Sequence, residues 1–429
     1  MKTGPAARDE GGLFRHGSLL MIGTLVGSLC NAGFHMVMGR PQVLSNAEYG
    51  SLVAMLGVIL AVSTPLLALQ NTLAHFISKL VADDRRDEVR TLFLHWVELF
   101  AAASAVLVAG AWMFRGPLAA FWGGVDPRLI VATFTVLAGS LWMYLFYGLL
   151  QGMQAFGWLA AAPQLWGLVR LVLGAALAIW VSGTALAAIT AQGAGVVLVL
   201  ACCAWAVHTL RLPPRRAVKR PAGTYRYLGS ALVCLGGYAA LMNLDTALAK
   251  HYFDAETAGI FAKAATIART GVFLPVPIAM ALFPKVTSSG EMSDASWRLL
   301  LRALAYGGLI LGGVVGGCLL FPQLPWWILY GGMAPEHARE ASALVRAMVL
   351  AMAPLALAYL LLNFEMAQRR FRRALVLVPC ALLYVGGTAV FHAAPLQIPA
   401  VLGTLNAVAA GVLLAGVVLR RRRMVKGVT

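Results

Sequence analysis

The chain has 429 residues, of which 60% are hydrophobic and 12% charged, and its formal net charge is +17. Its mean hydropathy is +0.79. Soluble domains carry about 25% charged residues, so this chain cannot clothe a water-exposed surface with polar groups. Apolar runs of about 20 residues recur along nearly its whole length, as bilayer-crossing helices require, and the alternating segments of an outer-membrane barrel are absent. The composition specifies an all-α membrane protein.

Taken in chain order, the first residues mix Lys2, Arg8 and Arg15 with Asp9 and Glu10, and no small-residue cleavage site follows the first apolar run. The first helix is therefore expected to stay as a span. Twelve spans are predicted, at 17–39, 47–77, 93–114, 129–150, 158–181, 185–208, 228–250, 257–283, 301–321, 342–363, 374–392 and 397–419. The second and eighth are longer than a bilayer needs, and Pro65 and the Pro275/Pro277 pair are the expected bending points. The Pro- and Arg-rich stretch between spans six and seven reads as a linker. The predicted organisation is an N-terminal six-helix bundle (1–214), a basic cytoplasmic linker (215–227) and a C-terminal six-helix bundle (228–429).

Most of the 34 Lys and Arg fall in clusters on one face: the N-terminus, the turns near 79–90, 211–226, 285–302 and 369–373, and the C-terminal run Arg420–Arg423. The opposite face holds only Arg40, Arg115, Arg128 and Arg339. The positive-inside rule then places both termini in the cytoplasm. The positive charge is a topology signal and an attraction to anionic lipid rather than a nucleic-acid footprint. The six cysteines lie in apolar runs without metal-site spacing and read as packing residues, not disulfides. The loop near 322–341 carries Pro-Trp-Trp-Ile-Leu-Tyr, suited to the membrane interface.

The halves echo each other. Ala47-Glu48-Tyr49-Gly50 opens span two with Pro65 beyond it, and Ala255-Glu256-Thr257-Ala258-Gly259 opens span eight with Pro275 beyond it. Copies in the same orientation imply a pseudo-twofold axis along the membrane normal and a solute cleft between the halves.

Ionisable groups inside spans are costly and mark candidate sites. Arg170 and Arg269 sit near the middle of spans five and eight; Lys263, Asp245 and Lys250 lie nearer the opposite-face ends of spans eight and seven. One reading is a cationic cleft for phosphate or pyrophosphate, with Asp245 tuning it or coupling to an ion; the other is a structural Asp245–Lys263 or Asp245–Arg269 pair. Asn31 and His35 share a face of span one, and Gln70, Asn71, Gln192 and Asn243 are further polar candidates, each explicable as an interhelical hydrogen-bond partner. Gly312, Gly313, Gly316 and Gly317 suggest close helix packing. The sequence contains no phosphate-binding loop, no His-Glu-x-x-His and no G-x-S-x-G, so no enzymatic chemistry is expected and no metal or cofactor site is assigned.

Several stretches together resemble a known family: Glu48-Tyr49-Gly50-Ser51-Leu52, Gly148-Leu149-Leu150-Gln151-Gly152-Met153-Gln154-Ala155-Phe156-Gly157, Asn243-Leu244-Asp245, Leu248-Ala249-Lys250-His251-Tyr252-Phe253, Ala258-Gly259-Ile260-Phe261 and Leu282-Phe283-Pro284-Lys285. The chain resembles the polysaccharide-transporter (oligosaccharide flippase) branch of the multidrug/oligosaccharidyl-lipid/polysaccharide (MOP) exporter superfamily. The resemblance implies a V-shaped pair of six-helix bundles in the bacterial inner membrane, working by alternating access. It implies a polyprenyl-pyrophosphate-linked glycan as substrate, carried from the inner to the outer leaflet. Asp245, Lys250, Lys263 and Arg269 would line the cleft from the second half, and Arg40 and Arg170 from the first. Membrane lipids, a polysaccharide polymerase and a chain-length regulator are the implied partners, with H+ or Na+ as coupling ion. Span one lacks the acidic residue common in drug-exporting relatives, which favours an anionic substrate. The alternatives are an ion-coupled multidrug exporter of the same fold, and a membrane glycosyltransferase or polymer ligase.

Overall fold

The structure is a computed structural model, and it describes residue 23 and residues 25–210, 224–273, 293–332, 334–368 and 372–425. Among these residues no strand occurs. The helices are α1 (Leu25–Met38), α2 (Asn46–Ser63), α3 (Leu67–Ala82), α4 (Arg86–Met113), α5 (Arg115–Phe121), α6 (Pro127–Gly152), α7 (Phe156–Trp180) and α8 (Ala185–Thr209). They continue as α9 (Thr224–Tyr252), α10 (Ala255–Phe273), α11 (Asp294–Leu320), α12 (Gln323–Tyr330), α13 (Ala338–Ala367), α14 (Leu377–Val390) and α15 (Gln397–Val425). Nine helical stretches among the described residues are long and apolar enough to cross a membrane, and α1 and the 374–390 segment are shorter apolar helices. Each of the twelve predicted spans is helical over most of its described length, and the chain is a multi-pass membrane protein. Most of the 215–227 linker, Pro275, Pro277 and Leu282–Lys285 lie outside the described residues.

Local chemistry sets the helix ends. Ser45 accepts from the Glu48 amide at 3.2 Å to cap α2, Asp126 accepts from the Arg128 amide at 2.7 Å to cap α6, and Ser293 and Ser296 form a capping box on α11. At the close of α6, Ala155 N–H reaches Leu150 O at 2.8 Å and Gln154 N–H reaches Gln151 O at 3.1 Å, with Gln154 at φ 58°. That is a Schellman motif with glutamine where glycine is the usual occupant.

The second span bends where Pro65 predicts. A 3-10 turn, Thr64–Leu66, interrupts the helical stretch Asn46–Ala82 between α2 and α3. The 322–341 loop differs from expectation, because its aromatic stretch folds as α12. Pro325 falls in the first turn, where it blocks no helical hydrogen bond, and Gly331 at φ 77° ends the helix.

The chain forms two compact units. One comprises Met1–Met38 with Leu66–Leu228, the other Gly39–Pro65 with Gly229–Thr429. The helices thus do not sort in simple chain order, since α2 packs with the C-terminal helices. In the first unit α1 lies close on α7: a Cβ at Gly23 would sit 2.8 Å from Ala160 O, one at Gly27 would overlap the Gln164 amide, and one at Gly174 would sit 3.1 Å from Phe34. In the second, a Cβ on Gly50 would sit 2.9 Å from Gly259 N, and one on Gly259 would overlap Asn46 O. The two motifs therefore lie close together, backbone near backbone. The glycines of α11 depart from expectation: a Cβ at Gly312, Gly313, Gly316 or Gly317 meets no described atom within 4 Å. They face away from the described helices, so close packing among those helices does not account for them.

Candidate functional site

In the second unit, Asp245 of α9 is wholly buried. Arg269 of α10 forms an ion pair with its Oδ1, donates from Nε to Met242 O at 3.0 Å, and lies 3.5 Å from Thr246 Oγ1. Asp245 Oδ2 has no hydrogen-bond partner among the described residues. Of the two pairings open from sequence, Asp245 takes Arg269, not Lys263. Side chains lean toward the N-terminus of their own helix. The two helices run oppositely about a two-residue turn, so Asp245 leans deeper and Lys263 leans shallower, away from each other. Arg269, one and a half turns further along, reaches back to the carboxylate.

Lys263 goes instead to the start of α2. Its side chain donates from Nζ to Asn46 Oδ1 at 2.6 Å, and the ammonium sits 5.4 Å from the Tyr330 ring centroid, 5.8 Å from Tyr49 and 6.0 Å from Trp326. These are cation–π distances, and Lys263 is 2% exposed. The Tyr49 and Tyr330 hydroxyls lie 3.3 Å apart, Tyr330 donates to Lys263 O at 3.2 Å, and Tyr49 lies 3.3 Å from Thr266 Oγ1. Asn46 in turn donates to Glu256, whose Oε1 is 3.7 Å from His337 Nε2. Trp326 and Tyr330, four apart on α12, share one face.

Lys250 is buried near the end of α9, where the helix dipole favours a cation, and it interacts electrostatically with Glu48 and Asp254. Asp254, in the turn, accepts from the Glu256 and Thr257 amides at 3.0 Å each. The Thr257 side chain and these amides hold its carboxyl below the usual carboxylate range. Asn243 is buried and donates to Ala239 O at 2.9 Å, satisfying its own helix. Arg40 is exposed and belongs to the second unit, not the first, because its segment travels with α2.

In the first unit, Arg170 of α7 is 4% exposed. Its guanidinium lies 3.8 Å above the Phe34 ring and 5.4 Å from Trp166, and its Nη2 is 3.3 Å from His35 Nε2. The glycine-mediated closeness of α1 and α7 brings Phe34 there. His35 is thus joined to Arg170, whereas Asn31 is exposed. Gln70 donates to Gln151 Oε1 at 3.0 Å, an interhelical bond, and Asn71 is exposed. All six cysteines are free thiols.

Sequence reasoning missed two features. The ring cage around Lys263 is one; its signal is the i,i+4 spacing of Trp326 and Tyr330. The other is Glu365, 1% exposed near the end of α13, whose Oε1 lies 3.2 Å from Arg420 Nη2 on α15. A lone acid closing the apolar run Leu360-Leu361-Leu362-Asn363-Phe364 is the signal for it. Among the described residues no group of His, Cys, Asp and Glu could hold a metal ion.

No protein-family model matches the sequence, and no curated protein matches it. Solved structures do. An inward-facing multidrug resistance MATE family transporter of the MOP superfamily is similar over 93% of this chain and 96% of its own, at 15% identity and TM-score 0.72. The lipid II flippase MurJ, in an inward closed conformation, is similar over 93% and 87%, at 12% identity and TM-score 0.73. A MOP superfamily transporter from Pyrococcus furiosus, described by the reverse polarity of its binding pocket, is similar over 96% and 95%, at 16% identity and TM-score 0.65. Coverage this complete, at identities this low, establishes the architecture, and the chain has the fold of the MOP superfamily transporters.

Proposed function

We propose that the chain is a flippase, carrying a polyprenyl-pyrophosphate-linked oligosaccharide from the inner to the outer leaflet of a bacterial inner membrane by alternating access, with both termini cytoplasmic. One observation carries the reading: Arg170 and Lys250, basic side chains on apolar helices of a membrane protein, are both 4% exposed. Positive charge is expensive in that setting, and a diphosphate headgroup in transit is a reason to keep it. The fold shared with a lipid II flippase supports the same reading. Arg170 is the central contact in the first unit, with exposed Asn31 and Asn71 as further polar lining there and exposed Arg40 in the second unit. A polysaccharide polymerase and a chain-length regulator would consume the product.

Purified protein in vesicles containing a fluorescent polyprenyl-pyrophosphate oligosaccharide tests this. The inner-leaflet pool should become accessible to an impermeant quencher, Arg170→Ala should slow exchange more than tenfold, and Arg170→Lys should restore part of it. Exchange no faster than in protein-free vesicles would overturn the proposal.

A second reading has its own support. Asp245 Oδ2, buried without a partner among the described residues, is the place for a coupling H+ or Na+, as an ion-driven drug exporter of this fold would need. Dye efflux that follows an imposed ion gradient and stops in Asp245→Asn would favour that reading.

A further inference from the structure

We propose that Lys263 is a positioning residue and not a contact for the solute. Its ammonium is the pin that keeps the first turns of α2 seated on α10 and α12, and transport requires that pin to be withdrawn and reset. The inference rests on the transporter reading for its consequence, though not for its geometry.

Three elements converge on one charge. The lysine comes from α10, Tyr49 and Asn46 come from α2, and Trp326 and Tyr330 come from α12. At 2% exposure, with Asn46 as hydrogen-bond acceptor and three ring centroids within 6.0 Å, the ammonium is closed off from an anion. An anionic headgroup could reach it only by parting α2 from α12, so the residue reports and controls that separation. The rest of the α2–α10 contact is suited to parting. Gly50 meets the backbone of Gly259 and Ala258, Ser51 returns its hydroxyl to Ala47 O at 2.9 Å, and from the neighbouring α9 Thr246 reaches Val53 O at 3.4 Å, a long bond. The 3-10 turn Thr64–Leu66 then supplies a break at the far end of α2. The pin also has a polar path to water through Asn46 and Glu256, whose side chain is 47% exposed. A buried cation held by rings, one amide and such a path is set up for reversible release.

The test uses full-length protein in lipid vesicles with Cys202→Ala and a reporter, Val53→Cys, at a site 2% exposed and outside the cage. An impermeant maleimide should label this reporter slowly. Lys263→Ala should raise the rate by about tenfold, the scale of losing a desolvated cation–π contact together with its hydrogen bond. Propylammonium, which replaces the deleted atoms, should return the rate toward the parent value, and Lys263→Arg should fall between. An unchanged rate in Lys263→Ala, or a raised rate that propylammonium does not lower, overturns the proposal. Should Lys263→Ala fail to insert, Trp326→Leu, which keeps the charge and removes one ring, is read in its place; a rate equal to the parent again overturns it. No solute enters this measurement, so a failed lipid-exchange assay and a failed pin are separate results.

Discussion

The two units each hold a guanidinium on an apolar helix, Arg170 buried and Arg269 partly so, and surround it differently. In the first, the Arg170 guanidinium lies over Phe34 and near Trp166, with His35 within 3.3 Å. In the second, Arg269 is bound by the Asp245 carboxylate and a backbone carbonyl of the same helix. A carboxylate neutralises the charge and fastens two helices; rings shelter a charge without cancelling it. The comparison teaches where stability and function separate. The second arrangement fastens α9 to α10, whereas the first packs the guanidinium of α7 against rings from α1 and from its own helix.

The sharpest way to break this contrast is Asp245→Ala. It strands the Arg269 charge and should cost about 3–5 kcal/mol, read as a lowered unfolding temperature in detergent. Pairing it with Arg269→Met should recover most of the loss. A single variant that unfolds like the parent would show that the pair is not holding α9 to α10. Arg170→Met should cost less, about 1–2 kcal/mol of cation–π and packing energy, yet slow lipid exchange more than Asp245→Asn does. Equal transport defects would erase the distinction.

The contrast extends to two turns. In the second unit Asp254 caps α10 with its carboxylate, and Asp254→Ala should cost about 1 kcal/mol. Because the folded-state pKa is depressed, this contribution is present above the unfolded value, about pH 4, and lost as pH falls through the folded one. Asp254→Asn should keep the cap and flatten that dependence between about pH 5 and 2, measured by unfolding at each pH. In the first unit Gln154 sits at φ 58° where α6 meets α7. Gln154→Gly should therefore stabilise by about 0.5–1 kcal/mol, the smallest effect of the set, and a loss of stability would mean that the glutamine side chain contributes there.

Much of the architecture was legible because membrane spans are written locally. Each apolar run carries its own length, and Pro65 carries its own bend. The Asp245–Arg269 pair was one of two possibilities in view, since α9 and α10 are joined by a short turn and depth can be counted along both. The cage was not readable: Tyr49 and Tyr330 are 281 residues apart, and nothing local says that α2 will meet α12. Arg170 and Phe34 are likewise joined only by helix packing. Sequence locates an expensive charge but not its shelter, because the shelter comes from other helices.

The crossing of Gly50 and Gly259 has a consequence for anyone who aligns relatives of this chain. A methyl group on Gly50 would meet the backbone of Gly259, and one on Gly259 would overlap the backbone of Asn46 at the start of α2. Both columns should therefore stay fixed as lineages diverge, though neither residue carries a functional group. A ranking of residues by invariance would place these two beside the transport machinery, when what they record is how closely α2 lies against α10.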